Sequence, residues 1–143
     1  MDVLRHLQEH GIKPSVQRIA IMGYLMKHLT HPTADEIYTA LAPAIPTLSR
    51  TTVYNTLRLL DMHGAVQTLT IDERRTCYDA DTHPHAHFLC KQCGRIYDLP
   101  DTPAAFPADT AGHRVHEAHY YYKGICQRCL SLQTPSQEDN NQY

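Results

Sequence analysis

Residues 83–98, H-P-H-A-H-F-L-C-K-Q-C-G-R-I-Y-D, determine how this chain is organised. The segment contains a Cys-x₂-Cys pair and histidines at alternate positions, His83, His85 and His87. Successive side chains of a β-strand point to opposite faces of the sheet, so His85 and His87 would share one face and Cys90 would lie on the other. One short strand is therefore predicted to contribute to two separate metal sites.

A second Cys-x₂-Cys pair occurs downstream, in the sequence G-I-C-Q-R-C. Two such pairs are typical of a tetrahedral zinc site that is enclosed by protein and stabilises the fold. The alternative is two independent redox dithiols, but neither pair has the strand-to-helix context of a thioredoxin-like motif. We predict a structural zinc site formed by Cys90, Cys93, Cys126 and Cys129.

Length and composition indicate an ordinary globular chain with one good core or two small ones, since it has 143 residues and 42% hydrophobic content. The N-terminal sequence is amphipathic and lacks the apolar run of a signal peptide or membrane span, so we expect a cytoplasmic protein with no membrane partner. The five cysteines then indicate metal ligation rather than disulfides. With a net charge of −2, any DNA-binding surface must be a local stripe.

Four amphipathic helices are predicted before residue 65, with Ser15 and Ser49 as N-caps and Thr33–Glu36 as a capping box. The second helix begins with Gln17 and Arg18 on its exposed face. The fourth carries an exposed polar stripe that fits a recognition helix in the DNA major groove, although a solvated helix face explains the stripe equally well. The stripe consists of Arg50, Thr51, Tyr54, Asn55 and Arg58.

The segment after the helices favours DNA binding. A two-stranded hairpin with a charged turn at 72–75 is predicted over 66–80, and helices followed by such a hairpin are the order of a winged helix. Beyond it we predict a β-hairpin over residues 87–99, a loop over 100–112 and a third strand over 115–125. Residues 134–143 contain no core-forming residues and are predicted to be disordered. The fold class is α+β.

The motifs G-I-K-P-S-V-Q-R (11–18), H-P-T-A-D-E-I-Y (31–38) and T-V-Y-N-T-L (52–57), with the two cysteine segments, form a recognisable series. Over roughly residues 5–132 the chain resembles the ferric uptake regulator family of bacterial metal-dependent repressors. The resemblance implies a winged-helix DNA-binding domain over 1–80, a hinge over 81–84, a metal-binding α/β dimerisation domain over 85–133 and a disordered tail over 134–143. It also implies a homodimer on a pseudo-palindromic double-stranded DNA operator.

The resemblance also assigns site residues. It places the family's structural zinc on the four paired cysteines, a base contact on Tyr54 and a DNA backbone or minor-groove contact on Lys13. It places the family's regulatory metal on His31, Asp79, His85, His87 and Asp98. Imidazole and carboxylate ligands suit Fe(II), Mn(II) or Zn(II) better than soft copper. Because His31 comes from the N-terminal domain, an ion shared by both domains would fix their relative angle and raise DNA affinity by linkage.

Asp98 and the H-P-T-A-D and T-V-Y-N runs resemble the peroxide-sensing branch of the family, in which bound Fe(II) reacts with peroxide, a ligating histidine is oxidised and the repressor releases DNA. Three alternatives stay open. They are a zinc- or iron-uptake regulator that responds to metal occupancy alone, a thiol-based redox sensor that uses Cys77, and a third metal site around His116 and His119. A zinc enzyme is disfavoured because neither H-x-E with P-C-x-x-C nor H-E-x-x-H occurs. We expect no enzymatic activity and no small-molecule substrate.

Overall fold

The computed structural model describes residues 2–100 and 110–132. Its internal contacts divide the chain into two compact units, with the boundary between His83 and Pro84. Most of the predicted loop over 100–112, and the predicted tail over 134–143, lie outside the described residues. Within the described ranges, no helix has the length and apolar character needed to cross a bilayer.

The first unit contains four helices followed by a short hairpin. The helices are α1 (Val3–Glu9), α2 (Val16–Lys27), α3 (Ala34–Leu41) and α4 (Arg50–Met62). Ser15 and Ser49 cap α2 and α4 as predicted, each accepting a backbone N–H at 3.1 Å, and Thr33 and Glu36 form the predicted capping box at the start of α3. The helices bury one apolar core, which includes Leu7, Ile21, Met22, Leu25, Ile37, Val53, Leu57 and Leu60.

The hairpin of the first unit pairs β1 (Gln67–Leu69) with β2 (Cys77–Asp79) in antiparallel register. Two backbone contacts connect β2 to the segment that leads into α3. The Tyr78 N–H donates to the Pro32 carbonyl at 3.0 Å, and Thr33 forms an isolated bridge with Cys77. These contacts bring the residues just before α3 close to the end of β2, which places His31 beside Asp79 within the first unit.

The second unit contains a three-stranded sheet with the order β4-β3-β5 and one short helix. Strands β3 (Ala86–Cys90) and β4 (Ile96–Leu99) are antiparallel, and β5 (Tyr121–Gly124) runs parallel to β3. The mixed helix and sheet content confirms the predicted α+β class. Helix α5 (Gln127–Ser131) follows β5 and was not among the predicted elements. Strand β5 is much shorter than the predicted 115–125, because residues 111–119 are exposed and bury no face against the sheet.

Candidate metal centres and nucleic-acid interface

The four paired cysteines lie together in the second unit. Cys90 is the last residue of β3, and Cys126 is the N-cap of α5, so a strand end and a helix start hold two of the ligands. The Sγ atoms of Cys90 and Cys129 are 3.7 Å apart, and those of Cys93 and Cys126 are 3.8 Å apart. All four Sγ atoms lie within 4.8 Å of one another. Tetrahedral zinc with Zn–S bonds of about 2.3 Å requires S···S separations of about 3.8 Å, so this donor set fits Zn²⁺.

Backbone N–H groups stabilise the thiolate form of cysteines in this cluster. Burial acts to raise the pKa of Cys90, but N–H donation from Cys93 and Cys126, each at 3.4 Å, outweighs it and lowers that pKa to about 6. Hydrogen bonding from Tyr97 and from the Cys129 N–H lowers the pKa of Cys126. Burial and the neighbouring thiols raise the pKa of Cys129 to about 12. Without a metal the cluster therefore shares its protons unequally, and a dication stabilises all four thiolates together.

Two predicted regulatory residues meet inside the first unit. His31 Nε2 lies 3.4 Å from Asp79 Oδ2, and the two residues are 7% and 3% exposed. Asp79 Oδ1 accepts the Asp81 N–H at 2.9 Å, which orients the carboxylate. His31 adopts a φ of +56°, a left-handed conformation that costs free energy for a residue with a Cβ. The neighbouring Pro32–Tyr78 hydrogen bond and the capping box hold the backbone in this conformation.

The other three predicted regulatory residues form a cluster inside the second unit. His87 and Asp98 are directly opposite each other in the β3–β4 ladder, and His85 precedes β3 on the same face as His87. The Nε2 atoms of His85 and His87 lie 3.2 and 3.3 Å from the same oxygen, Asp98 Oδ1, and the two rings are 4.3 Å apart. Both imidazoles are largely buried, whereas Asp98 is half-exposed. Two imidazole nitrogens converging on one carboxylate form a nitrogen/oxygen donor set suited to Fe(II), Mn(II) or Zn(II).

Cys77, the candidate redox thiol, is 1% exposed and sits in β2 opposite Leu69. Burial raises the pKa of its thiol, which disfavours the reactive thiolate. The third-site candidates are on the surface. His119 contacts Glu117 at 3.4 Å and the Tyr121 hydroxyl at 3.2 Å, and His116 lies in the exposed segment before β5.

Five of the eight predicted DNA contacts line two polar clefts of the first unit. One cleft, of about 420 Å³, lies between the start of α2 and the middle of α4. Four of the predicted contacts line it, namely Lys13, Gln17, Arg18 and Asn55. The other, of about 510 Å³, lies between α3, α4 and the hairpin turn, and includes Tyr54. Thr51 and Arg58 are exposed on α4 outside both clefts.

The structure differs from the predicted polar stripe at two places, Arg50 and the hairpin turn. The Arg50 guanidinium contacts Asp35 at 3.4 Å and stacks over the Tyr38 ring at 4.4 Å, so it joins the start of α4 to α3. Arg74 and Arg75 line the same cleft as Tyr54, and the side chain of Arg74 is 80% exposed. The buried Asp72 carboxylate orients this turn, accepting the Arg74 N–H at 3.0 Å and the Arg75 Nε at 3.2 Å. Sequence reasoning missed these two arginines as surface candidates, although the charged turn was the available signal.

The comparisons with known proteins agree on one family. The model of the ferric uptake regulator family matches residues 9–105. The peroxide-responsive repressor PerR of Staphylococcus aureus (strain Mu50) is 39% identical over 134 residues, which cover 90% of this chain and 89% of that protein.

Solved structures give the same result. A PerR structure from Streptococcus pyogenes, described as a basis for peroxide sensing and gene regulation, is 36% identical with a TM-score of 0.51, over 89% of this chain and 90% of that one. The Helicobacter pylori ferric uptake regulator, 20% identical with a TM-score of 0.67 over 92% of this chain and 94% of that one, supports the fold. The chain therefore belongs to the ferric uptake regulator family.

Proposed function

We propose that this protein is a metal-dependent, sequence-specific DNA-binding repressor that senses peroxide through an iron ion at its regulatory site. The observation that carries this proposal is the convergence of His85 and His87 on Asp98 Oδ1, at 3.2 and 3.3 Å. The similarity to the staphylococcal peroxide-responsive repressor supports the same signal. The protein acts on double-stranded operator DNA as a homodimer, and we assign it no enzymatic activity.

The regulatory residues have distinct roles in this proposal. The regulatory residues would hold Fe(II), which when bound would supply the electron that reduces peroxide to a local oxidant. His85 and His87 would place buried imidazoles beside the ion, so the oxidant would react with a ligand before it could escape into bulk solvent. Asp98 is half-exposed, so one ligand of the site would face the solvent from which peroxide arrives. An oxidised imidazole is a poorer ligand, so metal affinity falls and, by linkage, so does operator affinity.

We further propose that His31 and Asp79 ligate the same ion. Their contact inside the first unit supports a preformed imidazole–carboxylate pair, and the left-handed backbone at His31 is the type of strain that accumulates at functional positions. Shared ligation would make occupancy sensitive to domain arrangement. A coupling of about 1–3 kcal/mol between metal and operator is sufficient for a regulator. Asp79→Asn should therefore weaken Mn(II) binding although the three ligands on and beside β3 and β4 are intact.

The structural metal is proposed to be Zn²⁺ at the cluster of Cys90, Cys93, Cys126 and Cys129. The S···S distances of 3.7 and 3.8 Å support it, because they match the edge of a tetrahedral ZnS₄ site. A closed four-thiolate site leaves no open coordination position, so its role is to stabilise the second unit rather than to sense.

We propose that α4 enters the major groove with Tyr54 and Asn55 facing bases, and that Lys13, Gln17 and Arg18 contact the backbone from the adjacent cleft. The positions of these side chains on two polar clefts of one unit support this arrangement. Thr51 and Arg58 extend the same face. Arg50 acts mainly by joining α4 to α3, since its guanidinium is engaged by Asp35 and Tyr38.

The decisive experiment is peptide mass spectrometry of protein loaded anaerobically with Fe(II), before and after brief exposure to peroxide, with Mn(II)-loaded protein as the control. We expect one added oxygen on His31, His85 or His87 with iron only, together with loss of operator binding. Unmodified histidines, with DNA binding that simply follows metal occupancy, would instead make this a metal-uptake regulator. Oxidation confined to Cys77 would favour the thiol mechanism, which its burial argues against.

A further inference from the structure

Three histidines outside both proposed metal sites lie together where α1 and α4 end. His6 and His10 are four residues apart at the end of α1, and their ring centroids are 4.4 Å apart. His63 is the C-cap residue of α4, and its Nδ1 lies 3.0 Å from the His10 carbonyl oxygen. No role in operator binding or in the two metal sites uses these rings.

Hydrogen bonds to backbone carbonyls fix which nitrogen of each ring carries the proton. His6 Nε2 lies 3.1 Å from the Ala65 carbonyl oxygen, and His10 Nδ1 lies 2.7 Å from the His6 carbonyl oxygen. A carbonyl can only accept, so these two nitrogens must be the protonated donors. The neutral rings then carry their lone pairs on His6 Nδ1 and His10 Nε2. Metal-binding histidines are oriented in this way, with the second ring N–H donated to a carbonyl or carboxylate.

We propose that His6 and His10 form an additional metal site, which binds a divalent transition-metal ion of the Cu²⁺, Ni²⁺ or Zn²⁺ class through His6 Nδ1 and His10 Nε2. Two histidines at i and i+4 on one helix face are an established pair of zinc ligands. Two nitrogens that are each about 2.1 Å from one ion lie at most about 4.2 Å apart, and the 4.4 Å between the ring centroids is of the same order.

The surroundings of the pair favour a cation with open coordination positions. Both rings lie at the C-terminal end of α1, where the helix dipole and the terminal carbonyls are negative. Both residues are half-buried, so an ion can enter and keep water ligands. Cu²⁺ is the best probe because it binds most tightly among first-row dications at such a site.

The test uses residue-resolved NMR of the zinc-loaded full chain, because other histidines can also bind Cu²⁺. The regulatory site, which has more ligands, takes the first equivalent of Cu²⁺. A second equivalent should broaden the ring signals of His6 and His10 and the amide signals of α1. His28, at the C-cap of α2, provides the internal comparison and should be affected later. Unchanged α1 signals, while histidines elsewhere broaden, would overturn the site and reduce the His6–His10 contact to packing.

Variants supply the second arm. The double substitution H6Q/H10Q should remove the early broadening of α1, whereas H28Q should leave it unchanged. Replacing His10 alone should weaken Cu²⁺ binding at this position by more than about tenfold, because the chelate is lost. Glutamine keeps an N–H donor for the carbonyl bonds, and circular dichroism checks that the fold is retained. Early broadening that persists in the double variant would also overturn the proposal. Should the variant fail to fold, the wild-type spectra decide alone.

Discussion

The His87 imidazole is 2% exposed and faces Asp98 across the β3–β4 ladder, with 3.3 Å between Nε2 and the carboxylate. We expect His87→Ala to reduce metal-dependent operator affinity by more than about tenfold, since a lost ligand costs at least as much as a lost outer-shell partner. Fluorescence anisotropy with labelled operator and Mn(II) measures this. The control is His83→Ala, because the His83 side chain is 93% exposed. Equal operator affinity in wild type and His87→Ala would remove this residue from the regulatory site.

Cys77 should behave as a structural thiol. Burial raises the pKa of the Cys77 thiol, so in the folded protein the thiol stays protonated at pH values above its ordinary pKa. Its ionisation therefore lowers the stability of the fold only as the pH rises above about 9. At pH 8 we expect iodoacetamide to leave Cys77 unmodified in the native protein and to label it after unfolding, as read by peptide mass spectrometry. The internal control is zinc-stripped protein, in which the exposed Cys93 should react first. Rapid labelling of Cys77 in the native protein would instead support the hypothesis of a thiol-based redox sensor.

The residue-level predictions differ in how far sequence could take them. The spacing of the cysteines was enough to predict the four-cysteine cluster, because a Cys-x₂-Cys pair constrains its own geometry. The contact of Arg50 with Asp35 could not be read in this way, since it depends on how two helices pack. The tautomers of His6 and His10 could not be predicted from the sequence either, because they depend on hydrogen bonds to carbonyl groups whose positions only the structure gives.

At the scale of elements, the capping box of α3 connects stability with the site. The Thr33 hydroxyl accepts the Glu36 N–H, and the Glu36 carboxylate accepts the Thr33 N–H, both at 3.2 Å. Thr33→Ala should lower the free energy of unfolding of the first unit by about 1 kcal/mol, the usual cost of losing an N-cap. Hydrogen exchange of α3 and β2 amides measures this locally. Thr39→Ala, on the exposed face of the same helix, is the matched control, and an equal loss there would contradict the capping argument.

Elements with strong local signals were predicted well. Caps, apolar periodicity and the cysteine knuckle located α2, α3, α4 and the β3–β4 hairpin. Helix α5 was missed because five residues are too short to show a helical period. Residues 115–119 were predicted to extend β5, but β propensity requires a surface to pack on, and this segment is exposed.

At the scale of the whole molecule, the zinc cluster is expected to determine whether the second unit folds at all, because its sheet is small and the cluster joins β3 to α5. Cys93→Ser should lose zinc, measured by elemental analysis, and abolish cooperative unfolding of the second unit while the first unit remains folded. Cys77→Ser is the control and should retain the metal. A zinc-free Cys93→Ser protein with an intact second unit would contradict the structural role.

The ligands of that cluster come from two segments separated by the whole of β4 and β5, and Cys126 also caps α5. During synthesis the first unit can fold as soon as its hairpin has left the ribosome, because its core lies entirely before residue 84. The second unit has to wait for Cys129. A nascent chain that stalls between the two pairs carries the complete first unit but only two of the four cluster thiols, so zinc incorporation separates finished chains from interrupted ones.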